Sequence, residues 1–112
     1  MESKTAFIEG SGNVFADLGL SDPETRTAKV YLGVEIARII TAKKWSQTQA
    51  AAELNLDQPS ISKIFALKLR GFSIERLMGI LSHLDQDVII TIKPSELEGH
   101  GRILVQATAD KS

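Results

Sequence analysis

The sequence predicts a mainly α-helical domain followed by a short β element near the C-terminus. Residues 23–43 and 74–84 repeat apolar side chains at helical spacing, each behind residues that favour helix starts. Between them, residues 46–64 carry the start signals of two shorter helices, separated by turn-forming residues. After the last helix, residues 87–93 are β-branched and apolar on both faces, which indicates a strand that stops at Pro94.

Composition narrows the class of protein. The 112 residues suit one domain with a modest core. No cysteine is present, which excludes disulfides and thiolate chemistry, and two histidines without a phosphate loop or a carboxylate motif give no reason to expect an enzyme, a cofactor or a metal. No apolar run approaches a membrane span and the N-terminus lacks the order of a secretory signal, so we expect a soluble protein of the cytoplasm.

The longest predicted helix has Asp22 as N-cap and Pro23 at its first position, and it runs to about Lys43. Gly33 inside this helix costs about 1 kcal/mol relative to alanine, so we expect close approach by the backbone of a neighbouring helix. Trp45, just after the helix, is expected to pack between helices. The inward stripe consists of Ala28, Leu32, Ile36, Ile39 and Ile40.

The last predicted helix runs from Ile74 to about Leu84. Phe72 and Leu77 bracket Ser73 as a hydrophobic staple around an N-cap, which fixes the helix start. The inward residues that close the core are Leu77, Ile80, Leu81 and Leu84.

The middle of the chain predicts two short helices joined by a tight turn. Ser46 and Gln49 form a capping box, so the first helix should begin at Gln47. Residues 55–57 favour a turn, and the proline that follows Gln58 suits the first turn of a second helix. The two helices together form a helix-turn-helix, the motif that places its second helix in the DNA major groove. Their apolar stripes consist of Ala50, Ala51, Leu54, Leu56, Ile61, Ile64 and Phe65.

Charge is distributed unevenly around this motif. The net charge of the chain is −1, but residues 1–28 carry −3 and residues 43–76 carry +3. A basic patch would neutralise DNA phosphates if the fold gathers these residues on one side, whereas a solvated surface of mixed charge is the alternative. The basic residues concerned are Lys43, Lys44, Lys63, Lys68, Arg70 and Arg76.

Five residues of the motif have a familiar spacing. Gln47, Ala51, Asn55, Ile61 and Ile64 occupy its first, fifth, ninth, fifteenth and eighteenth positions. This spacing resembles the lambda-repressor-like (XRE/Cro) helix-turn-helix family, which commonly has Gln, a small residue, Gly and two branched apolar residues there. Only the ninth position departs, and asparagine tolerates the left-handed conformation that glycine would supply.

Further motifs narrow the resemblance to the small HigA-like antitoxins of bacterial toxin–antitoxin pairs, over residues 12–94. Two positions depart from this family. Similar proteins carry Arg-Gly where this chain has Ala66 and Leu67, and Gly where it has Asp85. The matching motifs are residues 13–20, 22–23, 71–77 and 86–88.

The resemblance implies roles for the polar residues of the motif. Gln47 would meet backbone phosphate or the second glutamine, and Gln58 would read an adenine through its N6 and N7 atoms. Lys68 and Arg70 are candidate phosphate clamps. Further candidates for contacts to bases or phosphates are Ser60, Ser62 and Lys63.

The resemblance also implies a bacterial, nucleoid-associated repressor that binds double-stranded operator DNA as a homodimer and neutralises a RelE/HigB-like toxin. Two alternatives remain open: an ordinary phage-type or metabolic XRE repressor without a toxin, and a protein-interaction module that has lost DNA binding. The missing arginine at Ala66 favours the latter.

These observations divide the chain into three parts. Residues 1–20 would be flexible or loosely docked, residues 21–85 would form the helix-turn-helix domain, and residues 86–112 would supply β structure and a tail. A second alternating run at residues 102–108 would fold back as a hairpin or pair with another chain. Because a lone strand leaves its edges unpaired, we expect this part to mediate dimerisation.

Overall fold

The computed structural model describes residues 22–108, and four α-helices lie within them. α1 packs against α3 and α4, and α2 packs against α3. This architecture confirms the predicted mainly α-helical helix-turn-helix fold; residues 1–20 and the last four residues of the tail lie outside the described part. The helices are α1 (Asp22–Ala42), α2 (Gln47–Leu54), α3 (Gln58–Phe65) and α4 (Ile74–His83).

A single apolar core joins the four helices. The side chains assigned to the inward stripes are buried, except that Leu56 and Phe65 are partly buried and pack against the core. Leu69 and Phe72 join the core from the connection between α3 and α4, and Ile74 joins it from the first turn of α4. The six largest side chains that are essentially inaccessible to solvent mark the centre: Ile36, Ile40, Ile61, Ile64, Leu77 and Leu84.

Three of the helices begin at a side-chain cap. The N–H of Gln49 donates to Ser46 Oγ at 3.0 Å and the N–H of Arg76 donates to Ser73 Oγ at 3.0 Å, as the sequence predicts. The N–H of Ser60 donates to Asp57 Oδ1 at 2.8 Å, so Asp57 caps α3 as well as lying in the turn. Each cap satisfies a backbone donor that lacks a partner within its helix.

All four described helices end with one residue in the left-handed conformation and with the same two backbone hydrogen bonds. The N–H of the left-handed residue donates to the carbonyl three residues earlier, as from Leu67 to Ile64 at 3.0 Å. The N–H of the following residue donates to the carbonyl five residues earlier, as from Lys68 to Lys63 at 2.8 Å and from Gln86 to Leu81 at 3.1 Å. This is the Schellman motif, in which glycine is the usual left-handed residue. None is glycine here: the four are Lys44 (φ 63°), Asn55 (φ 56°), Leu67 (φ 58°) and Asp85 (φ 66°).

Gly33 meets a close neighbour, but the neighbour is not the backbone of a helix. A Cβ atom on Gly33 would lie 2.9 Å from Leu69 Cδ1 and 3.2 Å from Leu67 Cδ2. Both leucines belong to the connection between α3 and α4. The expectation of an approaching helix is therefore wrong, because the left-handed turn at Leu67 brings this connection back onto α1.

No β-strand is present in residues 22–108. Residues 86–108 follow α4 without regular secondary structure, so the strand predicted at 87–93 and the alternating run at 102–108 do not form in this single chain. A strand exists only through hydrogen bonds to a neighbouring strand, and none is supplied here. Within the same described residues, none of the helices is long and apolar enough to cross a membrane.

Candidate nucleic-acid interface

The outward face of α3 is polar and open to solvent. Ile61 and Ile64 are fully buried, which fixes the rotation of the helix. At roughly 100° per residue, Ser62 and Lys63 lie on the opposite side and Gln58 lies on the flank next to Ser62, and all three are exposed. Gln58 and Ser62 are four residues apart, so their side chains are neighbours on one face and can approach the same stretch of base edges.

Ser60 lies on the flank of α3 and is only partly exposed. Its backbone N–H donates to Asp57 Oδ1 at 2.8 Å. Hydrogen bonding from the side chain and then the backbone of Ser60 holds the pKa of Asp57 below its usual range. Lys63 and Arg76 lower the pKa of Asp57 further through their positive charge. The structure thus uses Ser60 in capping the helix, while the other predicted residues of α3 face outward.

Gln47 is the first residue of α2 and is partly exposed. It follows the cap Ser46, at the end of the helix where backbone N–H groups and the helix dipole favour an anion. This position suits a contact with a backbone phosphate.

Lys68 and Arg70 lie in the connection that follows α3, and both are exposed. The backbone of Lys68 is fixed by its bond to the Lys63 carbonyl in the Schellman motif. The structure therefore brings Lys63 at the last turn of α3 close to the predicted phosphate clamp at Lys68. Ala66, at the position where similar proteins carry arginine, is exposed and adds no donor.

Two other basic side chains of the region already contact aromatic rings. Lys43 Nζ lies 5.3 Å from the centroid of the Trp45 ring, and the Arg76 guanidinium lies 4.6 Å from the centroid of the Phe72 ring. Trp45 is partly buried against the core, as expected. Of the six basic residues between positions 43 and 76, the four that make neither an ion pair nor a ring contact within residues 22–108 remain available for phosphates: Lys44, Lys63, Lys68 and Arg70.

The sequence did not reveal that Arg76, at the start of α4, lies near the start of α3. Its charge acts on Asp57, which places the two residues in the same electrostatic neighbourhood. A basic residue inside a helix carries no signal of what it faces, because the tertiary packing of α4 decides this.

The comparisons with known proteins agree with this geometry. A family model described as a helix-turn-helix domain matches residues 14–93. The chain is also similar to a solved structure assigned by name to the XRE family of transcriptional regulators, with 40% sequence identity, coverage of 79% of this chain and 100% of that chain, and a TM-score of 0.74. No curated protein matches the sequence. The chain therefore belongs to the XRE-type helix-turn-helix family of DNA-binding transcriptional regulators.

Proposed function

We propose that this protein is a sequence-specific repressor that binds a palindromic operator as a homodimer, with α3 in the major groove. The solvent-exposed side of α3 carries the proposal, because Gln58 and Ser62 are neighbours there, Lys63 lies beyond Ser62, and the isoleucines face inward. Glutamine and serine are able to hydrogen-bond base edges, whereas a helix that only needed solubility would favour glutamate and lysine.

In this proposal, some residues recognise bases and others bind phosphates. Gln58 takes an adenine through a bidentate bond and Ser62 adds a contact one turn further along α3. Lys63, Lys68 and Arg70 bind phosphates beside the groove, and Gln47 binds a phosphate at the start of α2. Ser60 contributes less to base reading, since it lies on the flank of α3 and is only partly exposed.

In this proposal, residues 21–85 bind DNA and residues 86–112 join two copies. Two copies are needed because one motif covers only one half-site, and half-sites lie roughly 34 Å apart along the duplex. The exposed apolar side chains after α4 support this division, since Ile89, Ile90 and Ile92 are each more than two-thirds exposed.

The two kinds of contact are separable by experiment. Gln58→Ala should lower affinity for the operator by about 1–3 kcal/mol while relaxing preference at one position, whereas Lys68→Ala should weaken all sequences alike and reduce the salt slope by about one. Binding is measured by fluorescence anisotropy on promoter and random duplexes over a salt series. Lys29→Ala, on α1 and outside the motif, is the control for removing a lysine.

If both variants lost the same affinity on every DNA sequence, Gln58 would not be a residue that reads bases. Indistinguishable binding of the unaltered protein to promoter and random duplexes would refute the sequence-specific repressor. That outcome would favour the protein-interaction module, which the alanine at position 66 also supports.

We further propose that the repressor is the antitoxin of a type II toxin–antitoxin pair and that it regulates its own operon. The HigA-like motifs at residues 13–20, 71–77 and 86–88 support this role. The test is co-expression with a short, basic, RelE-like open reading frame adjacent to the gene. Rescue of growth and co-purification are expected; a toxin that stays free and active, or a gene with no such neighbour, would leave an ordinary XRE repressor.

A further inference from the structure

We propose that an apolar groove on α1 receives residues 88–92 of a second copy of this chain, so that each protomer docks its C-terminal segment on the other. This inference rests on the dimer of the proposed function and names the acceptor surface. The surface, here called the α1 groove, is lined by Val34, Ala37, Arg38, Thr41, Phe65 and Leu67.

Leu67 is the unusual member of the α1 groove. It has a left-handed backbone at φ 58°, where glycine would be unstrained, yet its side chain is 39% exposed. One methyl group approaches Gly33, and the rest of the side chain faces the groove beside Val34. Within one chain, therefore, only part of the Leu67 side chain is packed. In the proposed dimer the second copy would cover the exposed part.

The exposed large apolar side chains of residues 22–108 fall into two sets. One set is Tyr31 and Val34 of α1 together with Leu67, and the other lies after α4, between residues 88 and 104. The outward faces of α2 and α3 contribute none, which leaves the DNA-binding side polar. Two separate apolar surfaces on one chain are what a two-fold dimer with reciprocal docking requires, since each copy supplies both an insert and a receptor.

The exposed apolar areas are large enough for this arrangement. Taking roughly 200 Å² for a fully exposed large side chain, the four apolar residues of 88–92 offer about 500 Å² per protomer. Val34 and Leu67 of the α1 groove add roughly 170 Å² on the same scale. The sum approaches the roughly 800 Å² per partner of a standard interface.

The chain's own C-terminal segment does not fill the α1 groove. Residues 103–106 line a cleft with Thr27, Ala28 and Tyr31, nearer the start of α1, and Val105 packs against the core. Residues 88–92 remain exposed, and the groove from Val34 to Thr41 stays open. The α1 face thus accepts apolar residues of the C-terminal segment at one end and is unoccupied at the other.

Disulfide trapping tests the proposal directly, because the chain has no cysteine of its own. Copies with Val34→Cys and copies with Ile90→Cys, carrying different affinity tags, are co-expressed and oxidised. A disulfide between the two kinds of copy is expected, since docking of residues 88–92 in the groove would allow the two cysteines to reach the roughly 4 Å between Cβ atoms that a disulfide requires. Thr48→Cys on α2 replaces Val34→Cys in the control pair, which should not cross-link.

Each other pattern of cross-linking overturns the proposal. Disulfides of Ile90→Cys with itself would indicate direct pairing of the C-terminal segments, and those of Val34→Cys with itself would indicate contact between the two α1 helices. A disulfide that forms within one chain of the double variant at high dilution would place residues 88–92 in their own groove.

Sedimentation of two charged variants separates this inference from the proposed dimer. Val34→Asp lies at an exposed position, so the fold should persist and the protein should become monomeric. If Ile90→Lys gives monomers while Val34→Asp remains dimeric, the dimer stands and the α1 groove is not its acceptor. An unaltered protein that sediments as a monomer at tens of micromolar would refute both.

Discussion

Replacing Lys44 with glycine should stabilise this protein. Lys44 ends α1 in the left-handed conformation at φ 63°, and its backbone N–H donates to the Thr41 carbonyl at 2.9 Å. A side chain in this conformation costs roughly 1–2 kcal/mol, while the greater freedom of glycine in the unfolded chain costs about 0.5–1 kcal/mol. Because the Lys44 side chain makes no ion pair within residues 22–108, the net gain should be about 0.5–1 kcal/mol.

Thermal and urea unfolding followed by circular dichroism would measure this gain. For a domain of this size, 1 kcal/mol corresponds to roughly 4–8 °C in Tm, so a rise of about 3–6 °C is expected. Ala42→Gly is the matched control, since Ala42 is the last helical residue of α1, is exposed, and should lose about 0.5–1 kcal/mol on substitution. If Lys44→Gly destabilised the protein as Ala42→Gly does, the reasoning about left-handed helix ends would be refuted.

Three further predictions follow from the caps, the core and the C-terminal segment. The Asp57 carboxylate has a lowered pKa in the folded state, so its contribution to the free energy of unfolding is full above the ordinary carboxyl range and is lost as the pH falls through the folded-state pKa. Asp57→Asn keeps the cap acceptor, so the stability of this variant in urea should be less sensitive to acid. An unchanged dependence of stability on pH would contradict this prediction. Ile61→Ala, at a fully buried position, should lower the free energy of unfolding by about 2–5 kcal/mol, and a loss below 1 kcal/mol in urea titrations would indicate that the core at α3 is loose. Ile90→Lys should yield monomers in sedimentation with weakened operator binding, and a dimer that binds normally would move the interface elsewhere.

The sequence by itself determined the helices and the core, because the forces concerned are local. Ser46, Pro59 and Ser73 act within a single helical turn, so helix starts could be predicted from neighbouring residues. Apolar periodicity then identified the buried faces of all four helices, since burial follows from the position around each helix axis. The polar set on α3 followed from the same periodicity, as the side left over when Ile61 and Ile64 face inward.

Only the tertiary structure decided which residues from other segments lie near each helix and each strand-like segment. The sequence placed a helix beside Gly33, whereas the left-handed turn at Leu67 brings two leucines there. It likewise could not show that the charge of Arg76 acts on Asp57, because that interaction depends on how α4 packs. Residues 87–93 have the composition of a strand and no partner strand in the single chain. The physical reason is common to all three: helix formation satisfies the backbone within a segment, whereas close approach, electrostatic pairing and strand formation each require a second segment whose position lies outside the local sequence.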